Sequence, residues 1–190
     1  MKKMKTKDMV LAAILTALVV ILQFMGAFIK IGTFSVSAVL VPIVIGAATC
    51  GIGVGAWLGF VFGVIVLLSG DAALFLAVNI PGTIITVLLK GTLCGLLAGA
   101  TYKAFAKVNK VLATVLAAIV CPVVNTGVFL LGCLLFFMET VTGWAAAAGL
   151  SANVGQYMIV GLVGINFLIE MGVNIVLSPV IVRLLNIRKK

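Results

Sequence analysis

Apolar residues run in long unbroken stretches along this chain, and polar residues are confined to short breaks between them. Six apolar runs stand out, at about 9–29, 36–50, 52–68, 84–104, 111–137 and 158–185. A run of ~20 apolar residues crosses a hydrocarbon core as a helix, and fewer suffice where the bilayer thins. The pattern predicts an all-α integral membrane protein, a bundle of six transmembrane helices. No polar linker interrupts it, so a single domain over residues 1–190 is expected. The second and third runs are short and separated by Gly51 alone; they read as two tight spans or one broken hairpin. The fifth and sixth are long enough to tilt or to extend past the membrane.

Composition agrees with that solvent. The chain is 64% hydrophobic and 9% charged, whereas soluble domains run at about half apolar and a quarter charged. Charge then sets the orientation. Eleven of the 13 Lys and Arg residues fall in three segments: Lys2, Lys3, Lys5 and Lys7; Lys103, Lys107 and Lys110; Arg183, Arg188, Lys189 and Lys190. Six spans place all three on one face, which the positive-inside bias makes cytoplasmic, with both termini there. Lys30, Asp71 and Glu139 lie opposite and nearly cancel. Five or seven spans would divide the basic segments between faces. The net charge of +9 therefore reads as membrane flanks drawn to anionic headgroups, not as a nucleic-acid surface. The basic-then-apolar start resembles a signal peptide, but Asp8 interrupts it without a clean cleavage site, so it is expected to stay as the first helix.

Chemistry is thin. There is no histidine, the acids number four, and Cys50, Cys94, Cys121 and Cys133 form no CxxC pair. Neither an ordinary metal site nor a nucleophile–base constellation can be assembled, so no metal, no cofactor and no catalytic residue is expected, and the thiols read as buried and inert. A phosphate-binding Gly-x-x-x-x-Gly-Lys-Ser/Thr loop is missing as well. Small residues mark where helices meet: Gly51, Gly55, Gly59 and Gly63 recur every fourth residue, as do Gly91, Gly95 and Gly99, and such ridges allow close approach in lipid. Ala13 and Ala17 give the first helix a smaller ridge, suited to internal packing or to a partner protein.

Charges at membrane depth are costly and mark function or pairing. Lys90 falls about two turns into the fourth span and Glu170 near the middle of the sixth. Asn166, Glu170 and Asn174 share one helix face by their i, i+4, i+8 spacing, and Asn125 lies mid-span in the fifth. At ~1.5 Å per residue these groups reach overlapping depths, which suits either one outward-opening cavity or an ion pair with amide glue between helices. The outer connections at 69–83 and 140–157 are too apolar for solvated loops. They read as lids or interfacial segments, with Asn79, Trp144 and Tyr157 as ligand-facing candidates, and 30–35, with Phe34, as a third.

Several stretches are similar to a known family: Leu-Ala-Ala-Ile-Leu-Thr-Ala-Leu after the basic start, Val-Pro-Ile-Val-Ile-Gly-Ala at 41–47 and Gly-Ala-Trp-Leu-Gly-Phe-Val-Phe-Gly at 55–63. Leu-Leu-Lys-Gly-Thr-Leu-Cys-Gly-Leu-Leu-Ala-Gly at 88–99 and Asn-Phe-Leu-Ile-Glu at 166–170 complete the set. In order and spacing they resemble the substrate-binding S components of energy-coupling-factor (ECF) vitamin transporters, over nearly the whole chain. The resemblance implies a six-helix subunit of a bacterial plasma membrane that binds a vitamin or its precursor from outside. Its pocket would be built by helices four to six under the outer loops. It implies a membrane T component and two cytoplasmic ATPases as partners, and carries the family's Ala-xxx-Ala surface onto Ala13 and Ala17. Substrate contacts are then expected from Lys90, Asn125, Asn166, Glu170, Asn79, Phe34, Trp144 and Tyr157. Lys90 suggests a carboxylate such as pantothenate, with riboflavin as the rival; few aromatics are expected in the pocket. The alternatives are a stand-alone small-solute carrier and a non-binding membrane scaffold subunit; a membrane-embedded enzyme lacks the residues it would need.

Overall fold

The computed structural model describes residues 6–28, 30–31, 34–35, 38–150 and 153–187, with side chains described at all of these except 27, 28, 30, 31, 34, 35, 165 and 184–187. Apart from a two-residue antiparallel pairing of β1 (Lys30–Ile31) with β2 (Phe34–Ser35), the described elements are helical. The long ones are α1 (Thr6–Phe28), α5 (Ile80–Phe105), α6 (Lys110–Phe136) and α9 (Gly164–Ile187). Four helices among the described residues are long and apolar enough to cross a membrane, and these elements carry them. Two shorter apolar helices, α2 (Leu40–Cys50) and α3 (Ile52–Leu68), occupy the second and third runs. Gly51, at φ 101°, turns the chain between them, in a backbone region open to glycine and strained for other residues.

Side chains of α2 are buried continuously from Leu40 to Ala47, with Ile43 and Val44 fully enclosed. A helix apolar all round belongs inside a bundle, and α2 is packed by α1, α3, α5, α6 and α9. The tightest seam joins α3 to α5. Gly55 faces Gly95, Gly59 faces Gly91 and Gly63 faces Val87, so the two helices run antiparallel with main chain against main chain. The two glycine ridges are thus the two halves of one internal contact. Across the other side of α5, Gly132 of α6 receives Thr86. Asn174 of α9 donates to the Ala118 carbonyl of α6 at 2.9 Å and accepts from Ser178 at 2.9 Å.

Side-chain caps fix two helix starts. Asn109 accepts from the amides of Val111 (2.8 Å) and Leu112 (3.2 Å) to begin α6. Asn79 accepts from Gly82 at 3.0 Å to begin α5, with proline in its first turn. Both use an amide oxygen to satisfy otherwise orphaned N–H groups. The segment 69–79 is a compact turn holding a short helix, α4 (Ala73–Leu76). The stretch after α6 is also helical, α7 (Met138–Ala147), followed by α8 (Val154–Gln156). The last run is not one uniform helix. A π-helical turn, Tyr157–Val163, precedes Gly164, whose φ of 46° and ψ of −146° interrupt the helix before α9.

Candidate functional site

A cavity of about 120 Å³ lies among α1, α3, the 69–79 turn, α5, α6 and the interrupted last helix. Its lining comes from the late part of α1 and α3, the first half of α5, the second half of α6 and the start of α9. It therefore sits in the half of the bundle away from Lys7, Lys103, Lys107, Lys110 and Arg183.

Four of the sequence-predicted site residues line this cavity together: Lys90, Asn125, Asn166 and Glu170. Lys90 reaches it from α5, one residue before Gly91 in the seam, so its Cα is held by direct backbone packing. The ammonium lies 5.5 Å from the Phe62 ring centroid and 5.7 Å from that of Phe129. An ammonium this close to a ring face is attracted by the ring quadrupole, more so where water is scarce. Glu170 and Asp71, the two carboxylates among the described lining residues, share the cavity with Lys90. Asn125 is only 8% exposed, and its Oδ1 has no hydrogen-bond partner among the described residues. A buried polar atom left so costs roughly 1–3 kcal/mol.

The other candidates are placed differently. Asn79 caps α5 and borders a separate depression with Glu139 and Phe137. Trp144, on α7, stands one layer back: its ring meets Phe75 edge-on at 5.5 Å, and Phe75 lines the cavity. Tyr157 packs in the same aromatic cluster and against Gly161 in the π-helical turn. The side chain of Phe34 lies outside the described residues. Ala13 and Ala17 are exposed on α1, flanked by Ile14 and Leu18, while Thr16 between them accepts from the Trp57 indole at 3.3 Å.

Sequence reasoning missed part of the lining. Gln23, 1% exposed, comes in from α1 and donates through Nε2 to the Asp71 carboxylate; its Oε1 has no hydrogen-bond partner among the described residues. The expectation of few aromatics is corrected, because Phe62, Phe75, Phe129 and Phe167 all line the cavity. Phe75 is carried there by α4 and anchored edge-on by Phe129 (5.5 Å) and Phe137 (5.0 Å). Among the described residues the site joins one cation, two carboxylates and three amides to an aromatic wall. Among the described residues no cluster of His, Cys, Asp and Glu has the makings of a metal site.

Neither the curated proteins nor the solved structures contain a significant match to this chain. Residues 7–182 match a protein family described as the ECF transporter, substrate-specific component.

Proposed function

The chain belongs to the ECF transporter substrate-specific component family, and from that premise we propose that it is the S component of an ATP-driven importer, binding a vitamin or vitamin precursor in the cavity around Lys90. Family membership makes it a membrane-embedded transport subunit with a small-molecule substrate, associated with a T component and ATPases. The observation that carries the finer reading is the convergence of Lys90, Asn125, Asn166 and Glu170 on one cavity in the half of the bundle opposite the basic segments. With six helices crossing and those segments cytoplasmic, the cavity opens outward, as capture of an external solute in the bacterial plasma membrane requires. The directions of packing support this arrangement. α2 and α3 turn back on each other at Gly51, and α3 against α5 and α5 against α6 run antiparallel, so the short helices serve as full crossings in a locally thin bilayer.

Binding and energy coupling then sit on different surfaces. The cavity side chains hold the substrate. The exposed Ala13 and Ala17 let α1 approach the T component closely, as small residues do in lipid. Of the carboxylate-bearing and ring-bearing candidates, pantothenate would set its anion on Lys90, and riboflavin would lay its ring along the phenylalanines.

The test is uptake by cells carrying this chain with a T component and both ATPases. Ala13→Leu with Ala17→Leu leaves ligand binding by the purified chain unchanged and reduces ATP-dependent uptake at least tenfold. Loss of binding as well would make that face an internal packing element. One feature favours a second reading: the interruption at Gly164 is the kind of broken helix that stand-alone carriers use. Uptake by vesicles holding this chain alone, with no nucleotide, would establish it.

A further inference from the structure

Resting on the reading of this cavity as the substrate site, we infer that Gln23 and Asn125 are its specificity-determining residues, two amides that read an N–H group beside a carbonyl in the substrate, as in an amide, lactam or imide. The first helix thereby belongs to the binding site as well as to the outside of the bundle.

Gln23 stands in an apolar series. The buried face of α1 runs through Ala12, Leu15, Val19 and Gln23, spaced three or four residues apart, and Gln23 is 1% exposed. A leucine or methionine there would fill the space with no polar group to satisfy. A buried amide costs stability unless both its ends are bonded. One end of Gln23 is engaged, since Nε2 donates to the Asp71 carboxylate. An ionised carboxylate only accepts, so the amide turns its NH₂ toward Asp71 and holds Oε1 as an acceptor. Asp71 acts here as an orienting group alone. Gln23 lines the cavity, and its Oε1 has no hydrogen-bond partner among the described residues.

Asn125 repeats the pattern from α6. It is 8% exposed, lines the same cavity, and its Oδ1 also has no partner among the described residues. Two buried acceptors in one lining, on helices far apart in the chain, are completed together by donors on a guest. The kind of donor follows from the neighbouring groups. A carboxamide such as that of Asn125 holds an acceptor and a donor side by side, and its geometric complement is another N–H beside an acceptor. Lys90 carries donors only, so it pairs with a carbonyl oxygen and never with the N–H. The Phe62 and Phe129 rings near its ammonium suit the flat face of such a group. An amide, lactam or imide is also neutral, so it enters an enclosed apolar site without the cost of burying a charge.

The test uses probe pairs that differ at one N–H. Riboflavin is paired with 3-methylriboflavin, in which the imide N–H is methylated, and pantothenate with the ester analogue that has oxygen in place of the amide N–H. Each is titrated calorimetrically into the purified full chain in detergent. At least one parent binds, and about tenfold or more tighter than its N–H-free partner, the order expected when a buried acceptor is denied its donor. Gln23→Met keeps the length of the side chain and removes the amide. It weakens the parent about tenfold and the partner less than about threefold, because the partner has no N–H to lose; a merely structural role would weaken both alike. Asn125→Leu carries the same comparison where Gln23→Met does not fold. Equal binding within both pairs, or equal losses in the variants, overturns the inference and assigns the two oxygens to bound water, leaving the substrate-binding reading intact. Silence from both parents also overturns it, and that reading then stands or falls separately on the uptake assay.

Discussion

Replacing Gly55 with alanine tests whether main-chain contact between α3 and α5 holds the bundle together. An added Cβ would fall 2.6 Å from the Gly95 carbonyl oxygen and 2.7 Å from the Ala47 Cβ. Ordinary contact begins near 3.4 Å, so the helices must separate by about 0.8 Å, with no flexible side-chain end to yield. A gap of ~0.5–1 Å already forfeits a quarter to a half of each dispersion contact along the seam, and overpacking of this kind costs about 1–3 kcal/mol. Alanine returns roughly 0.5–1 kcal/mol through its better helix propensity. The net expectation is a loss of about 1–2 kcal/mol. Gly53→Ala, on the same helix with nothing within 4 Å of its added Cβ, is the control and should gain about 0.5–1 kcal/mol. Thermal unfolding in detergent, followed by circular dichroism, compares the two. If Gly55→Ala is as stable as Gly53→Ala, the seam is not held by backbone contact and the reasoning fails.

Two further predictions concern the polar supports. Asn79→Ala removes the α5 cap at Gly82 and lowers stability by about 1 kcal/mol, read as a drop in unfolding temperature; no drop would mean the amide is satisfied another way. Asn174→Ala strands the Ala118 carbonyl and the Ser178 hydroxyl and costs about 1–2 kcal/mol. The double variant with Ser178→Ala is less destabilised than the sum of the two single changes, because each has lost the same bond; strict additivity in unfolding measurements would refute the network.

The hydropathy runs located the long helical segments because each is apolar all round, while the apolar connections at 69–83 and 140–157, which hold α4, α7 and α8, could be read only as lids or interfacial segments. Gly51 gave the division of α2 from α3. Depth counting was enough to bring Lys90, Asn125, Asn166 and Glu170 into consideration together, since ionised and amide groups are rare in such runs. The phenylalanines were illegible for the opposite reason. Phe62, Phe129 and Phe167 sit in runs where lipid-facing and cavity-facing positions are equally apolar, so no periodicity separates Phe62 from the exposed Phe60. Gln23 carries no signal of its own within the first apolar run, and Asp71 reads as one of the outer charges. Only the fold of the 69–79 turn brings them together. Asn79 carried a readable signal of its own: an asparagine followed by Ile-Pro-Gly at the head of an apolar run is a helix cap. The interruption before α9 left no trace in hydropathy, because a π-helical turn of Tyr-Met-Ile-Val-Gly-Leu-Val is as apolar as a regular one.

That interruption divides the cavity into two walls of unequal stiffness. Phe62, Val66, Val87 and Lys90 ride on a pair of helices whose spacing is set by main-chain atoms, so they form an anvil that no ligand shifts cheaply. Leu162, Val163, Asn166 and Glu170 straddle Gly164, where the regular helical hydrogen-bond pattern is broken and the chain bends at least cost. On the proposed reading of this cavity as the substrate site, accommodation of a guest is expected to be one-sided, with the α3–α5 wall holding its place and the wall that carries Gly164 adjusting to it.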